Sequence, residues 1–132
     1  MHSDRVTLTV PARGEFAKTV RMTAAELASR IGLTYDDVDD VRMAAEEAFV
    51  YACDRMSEGG DIAFTLELGD DSLTFVVGPF ACEIAAGEEA AVESYAEFIL
   101  QSVCDEYAVD RDSTTCTLRL VKRASSSEDA RV

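Results

Sequence analysis

Apolar and polar positions along this chain change period several times, and each change marks an element. From Arg5 to Val10 they alternate, placing Val6, Leu8 and Val10 on one side of a half-buried strand that Pro11 stops. Phe16, Val20, Ala24, Leu27 and Ile31 then recur at helical spacing, with Gly32 at the position that commonly ends a helix. A second helix follows from Thr34 to Met56, with Val38, Val41, Ala45, Ala48, Ala52 and Met56 on one face. Thr34 followed by Asp37 reads as an N-cap with an acid in the first turn, at the positive end of the helix dipole. Glu47 and Tyr51 lie four apart, on a different face from that stripe. A glutamate midway along an apolar helix has the look of a site, although an exposed Glu on an amphipathic helix is the ordinary case.

Past Gly60 the pattern returns to strands. Ile62–Leu68 and Leu73–Val77 are joined by Gly69-Asp70-Asp71-Ser72, a hairpin signal, and Gly78-Pro79 ends the second. Val92, Tyr95, Ile99 and Val103 predict a third helix over 90–104, widened by Phe98 and Leu100. Tyr107–Asp110 reads as a short strand and Thr115–Val121 as a final one. Hairpin-joined strands with helices between them predict an α/β (α+β) two-layer sandwich. Its sheet is mixed, mainly antiparallel, of four to five strands, covered on one face by about three helices. Residues 1–123 form one domain in this reading, and 124–132 a polar, Ser-rich disordered tail.

Composition narrows the function. The chain has 132 residues, 48% hydrophobic and 29% charged, which is globular rather than disordered. No apolar run approaches the ~20 residues that cross a bilayer, and no signal-peptide core is seen, so a cytoplasmic protein without membrane contact is expected. The net charge is −14, and no Lys, Arg or His occurs between Ser57 and Asp110. Such a field repels nucleic acid and favours a basic protein partner, or simply solubility. The single histidine, His2, removes His-dependent metal sites and Ser-His or Cys-His catalysis, and no metal-ligating set is read. Cys53, Cys82, Cys104 and Cys116 form no CxxC pair and read as buried reduced thiols.

The run Ile31-Gly-Leu-Thr-Tyr-Asp-Asp-Val-Asp-Asp-Val-Arg-Met-Ala-Ala-Glu-Glu-Ala48 resembles the anti-sigma-factor serine kinases of the GHKL ATPase superfamily. Val10-Pro-Ala-Arg13, Ile99-Leu-Gln-Ser-Val-Cys-Asp-Glu106 and Thr114-Thr-Cys-Thr-Leu-Arg-Leu-Val-Lys122 support it, so the resemblance covers about residues 5–123. It implies a protein that holds a sigma factor from RNA polymerase and is relieved by an anti-anti-sigma partner, which the kinase phosphorylates with ATP. It also implies homodimerisation and a partner contact at Arg21, whose alternative is a solvated surface arginine.

The family's ATP site requires three motifs, and each departs here. Glu47 stands at the catalytic base position, but Tyr51 replaces the Asn that ligates Mg²⁺, and a phenol is a poor ligand for it. The Asp-x-Gly-x-Gly that reads adenine is Val76-Val-Gly-Pro-Phe-Ala-Cys82, keeping only Gly78. The Gly-rich phosphate lid is Ala85-Ala-Gly-Glu-Glu-Ala-Ala-Val-Glu93, keeping only Gly87 among acids that would face a triphosphate. The favoured expectation is a regulator that binds a sigma factor, an anti-anti-sigma partner or both, without cofactor, ATP hydrolysis or kinase activity. The alternative is a divergent active serine/threonine kinase using ATP and Mg²⁺ with Glu47 as base. A second alternative is a small-ligand sensor whose vacated pocket is lined by Tyr51, Phe80 and Tyr95, aromatics that otherwise simply fill the core.

Overall fold

The computed structural model describes residues 4–56, 59–81, 98–112 and 114–125. In chain order these form β1 (Asp4–Pro11), a 3₁₀ turn (Gly14–Phe16), α1 (Ala17–Arg30), α2 (Tyr35–Arg55), β2 (Asp61–Leu68) and β3 (Ser72–Ala81). A third helix, α3, occupies 98–103, followed by β4 (Glu106–Arg111) and β5 (Thr115–Arg123). The sheet runs β1-β2-β3-β5-β4, and each of its pairings is antiparallel. It is the expected α+β sandwich, with the predicted short strand before residue 110 realised as an edge strand. The expected start of the third helix and the tail from 126 lie outside the described residues.

Local chemistry sets both helix junctions. At the end of α1, Gly32 adopts φ +79°, its N–H donates to Ser29 O, and the Leu33 N–H donates to Ala28 O. This glycine-centred closure satisfies carbonyls that the last turn leaves open. Leu33, the next residue, is buried there. The chain then reverses at once into α2, where the Asp37 N–H donates to Thr34 Oγ1 at 3.1 Å, as the cap signature predicts.

The two helices pack through small residues. Ala24 and Ala28 of α1 and Ala44, Ala45, Ala48 and Ala52 of α2 are buried, and such side chains let helix backbones approach closely. Below them Ile62, Phe64, Leu66, Leu73, Phe75, Val77, Leu118 and Leu120 alternate along three strands and form the core floor. Phe49 reaches down onto Phe64, ring centroids 6.1 Å apart. The buried face of α2 is wider than the sequence stripe suggests. It includes Tyr51 and Arg55, because the helix is packed against α1 on one flank and over β2, β3 and β5 beneath.

A polar tie holds the start of α2 to the end of β5. Asp37 is only 3% exposed. One of its carboxylate oxygens accepts from the Ser125 N–H and the other from Ser125 Oγ, each at 2.9 Å. Lys122 Nζ lies 3.7 Å from Asp37 and 2.9 Å from Asp40. Burial by itself would raise the Asp37 carboxyl, but the hydrogen bonds from Ser125 and Thr34 and the Lys122 charge outweigh it and leave it lowered. The same carboxylates hold the Lys122 ammonium up against the opposing effect of burial.

A lowered carboxyl contributes stability that is present above its unfolded value of ~3.9 and lost as pH falls through the lower folded value. Asp37→Ala is therefore expected to lose about 1–3 kcal/mol in urea unfolding at pH 7. The gap between variant and parent should narrow steadily once unfolding is measured below about pH 4.

Candidate functional site

The residues singled out by sequence divide between two places on α2. Tyr51 points inward and is 3% exposed. Its ring meets Phe80 of β3 edge to face, centroids 6.5 Å apart. The Arg55 guanidinium lies over its ring, 3.6 Å from the centroid, and Arg55 Nη1 donates to the Tyr51 carbonyl at 3.4 Å. Arg111 of β4 donates from Nη2 to the Tyr51 hydroxyl at 3.3 Å. A phenol so placed has its ring packed and its tip hydrogen-bonded, which is how a buried tyrosine is ordinarily accommodated. As a Mg²⁺ ligand it is poor on two counts: it is a neutral phenol, and its oxygen already accepts a bond from a guanidinium.

Glu47, one turn earlier, is half-buried and opens outward. With Arg21 of α1 and Asp39, Arg42, Met43 and Glu46 of α2 it lines a cleft of about 370 Å³. Arg21 Nη1 donates to Glu46 Oε1 at 2.5 Å, and Arg42 Nη1 to Asp39 Oδ1 at 3.1 Å. Burial, followed by the neighbouring charges of Glu46 and Asp54, pushes the Glu47 carboxyl above the usual glutamate value. Arg21 and Glu47, assigned separate roles by resemblance, thus meet in one cleft.

Gly78 has a backbone role that is visible without any ligand. It lies where the β3–β5 register shifts between Val77 and Phe80, at φ +109°. A Cβ there would stand 2.8 Å from the Cys116 carbonyl oxygen, so a side chain is excluded by both conformation and space. The bulge turns Phe80 back into the core, onto Tyr51. Gly87 and Tyr95 lie outside the described residues. Among the described residues no group of three His, Cys, Asp or Glu side chains could hold a metal ion. No helix among them is long and apolar enough to cross a membrane.

Among the described residues the cysteines depart from the sequence reading at Cys116. Cys53 and Cys104 are free thiols, and burial pushes Cys104 up to about 12. Cys116, expected as a reduced strand residue, is disulfide-bonded. Linear spacing carries no information on which distant segments a fold brings together.

Sequence reasoning passed over Arg55, Arg111, Arg42 and Glu46. Arg55 was within reach of the helix period, being four residues after Tyr51. Arg111 was not, because sixty residues separate it from Tyr51. The two arginines flank the stretch that holds no basic residue, and the fold returns both to the tyrosine.

The fold is thus an antiparallel sheet covered by helices, with Glu47 and Tyr51 one turn apart on α2. Residues 10–122 match the family model for the histidine kinase-like ATPase domain, and the chain belongs to that family. The resemblance to GHKL anti-sigma kinases is borne out with it. The serine-protein kinase RsbW of Halalkalibacterium halodurans is 36% identical over 75 residues, 56% of this chain and 46% of that protein. The protein of that name from Bacillus subtilis is 29% identical over 79 residues, covering 58% and 49%. That from Staphylococcus epidermidis is 32% identical over 78 residues, covering 56% and 49%. The chain spans about half the length of the curated relatives it matches.

The packing around Tyr51 yields a graded expectation. Tyr51→Phe, which deletes only the hydroxyl, should cost about 0.5–1.5 kcal/mol in urea unfolding. Tyr51→Ala, which empties the space between Phe80 and Arg55, should cost about 3–5 kcal/mol, as large aromatic deletions in cores do.

Proposed function

We propose that this chain is a regulatory protein of the anti-sigma serine kinase type. It acts in the cytoplasm by binding a sigma factor, an anti-anti-sigma partner or both, without ATP hydrolysis or phosphoryl transfer. The observation that carries this reading is the buried Tyr51, closed in by Phe80, Arg55 and Arg111 at the position where the family resemblance calls for a Mg²⁺-ligating Asn. Phosphoryl transfer rests almost wholly on positioning and charge neutralisation of the phosphates, and a buried aromatic at the metal position supplies neither. Protein binding makes no such demand. Arg21, half-buried on the open side of α1 and held by Glu46, stands where the resemblance places a partner contact. Residues 1–123 act as one domain in this reading, and homodimerisation belongs to it through the family alone.

The kinase reading has one observation in its favour. A carboxyl raised by burial and like charges, as Glu47 is, is the form a general base takes when tuned towards neutral pH. Titration calorimetry with Mg-ATP and Mg-ADP, run beside Glu47→Ala, separates the two. No heat and no thermal stabilisation at millimolar nucleotide is the expected result. Micromolar binding that disappears in Glu47→Ala would overturn the nucleotide-free reading and restore the kinase as the leading one.

A further inference from the structure

Asp39, Met43, Glu47, Val50 and Asp54 follow one another along α2 at steps of four, four, three and four, so they form one stripe on the helix surface. Its apolar members are open to solvent, Met43 at 53% and Val50 at 37% exposure. Exposed apolar side chains aligned on one face and set among charges are the composition of interaction surfaces.

The charges in the cleft are not equivalent. Arg21 is engaged by Glu46 and Arg42 by Asp39. Glu47 has no ion pair or side-chain hydrogen bond among the described residues; the charges that act on it, Glu46 and Asp54, are of its own sign, and the cleft's Arg21 and Arg42 are paired with other carboxylates. A half-desolvated anion among like charges is unfavourable in the free protein and becomes favourable when a cation is brought to it. The stripe as a whole alternates acidic and apolar at helical spacing. Its complement is a helix with basic and apolar residues at the same spacing, the arrangement by which amphipathic helices are taken up on a groove.

We propose that the α2 stripe of Asp39, Met43, Glu47, Val50 and Asp54 is a docking surface for a basic amphipathic helix of a protein partner. A Lys or Arg of that helix seats on Glu47, and its apolar side chains cover Met43 and Val50. This inference rests on the partner-binding reading above and gives Glu47 a binding role in place of the base.

The test uses the full chain and two fluorescein-labelled helical peptides of about 18 residues, five turns. One carries Leu and Lys at three- and four-residue spacing, the other Leu and Glu. Fluorescence anisotropy at physiological salt should show binding of the Leu/Lys peptide alone. Glu47→Lys and, independently, Met43→Asp should each weaken it about tenfold or more, whereas Asp70→Lys in the β2–β3 turn should change it by less than about threefold. Unchanged circular dichroism and melting confirm folded variants; Glu47→Gln, expected to weaken binding less than Glu47→Lys, serves if the reversal unfolds the chain. Absence of Leu/Lys binding, binding that survives both stripe variants, or equal weakening by Asp70→Lys would overturn the surface. Nucleotide titration of the same preparation keeps the two failures apart. Failed docking without ATP binding removes only this surface, and ATP binding removes the nucleotide-free part of the parent reading while the peptides still decide this surface.

Discussion

The structure depends on how closely α2 can lie on its neighbours. Four buried alanines on α2 face inward, with Ala24 and Ala28 on α1. Side chains of that size keep the helices near each other and near the strands, at an interior density that leaves little room for rotation or sliding. Once α2 is seated, the directions of its other residues follow from the helix period. Tyr51 and Arg55 turn inward over β3, and Glu47, one turn back, opens to the cleft beside α1. Larger residues at Ala45 or Ala48 would lift the helix and separate Tyr51 from Phe80 before they altered any charge.

In a chain of net charge −14 the cations are few, and the fold places them against specific acceptors. Lys122 bridges Asp37 and Asp40 and so joins the end of β5 to the start of α2. Arg21 and Arg42 pair with carboxylates on the walls of the cleft. Arg55 and Arg111 converge on Tyr51. These contacts differ in worth. Exposed pairs such as Arg42–Asp39 contribute little, roughly 0–1 kcal/mol, because water screens them. The nearly enclosed Asp37 group matters more, since a buried carboxylate stripped of its donors would carry its desolvation penalty alone.

The family relationship and the local chemistry together frame the functional reading. Residues 10–122 match the histidine kinase-like ATPase domain. At the position that ligates Mg²⁺ in the resemblance, an aromatic is built into the core by contacts from three elements. A regulator that works by protein contact can preserve such a fold for its surfaces alone. On the outward face of α2 exposed methionine and valine alternate with acids.

Much of the framework was legible in the sequence because it rests on interactions between residues a few positions apart. Alternation marked the strands, three- and four-residue spacing marked the helices, and Thr34, Asp37 and Gly32 announced the junctions that the structure shows. Glu47 and Tyr51 were legible as a pair for the same reason. What lay beyond the sequence was contact between distant segments: Tyr51 with Arg111, sixty residues away; Arg21 with Glu46, twenty-five away; Asp37 with Ser125, eighty-eight away. The bond at Cys116 belongs with them. The sequence by itself determined which elements form and which side of each is apolar, because hydrophobic period and capping act along the chain. Only the tertiary structure decided that Tyr51 is core while Glu47 opens to the cleft, because that choice is made by how α1 and the sheet pack against α2.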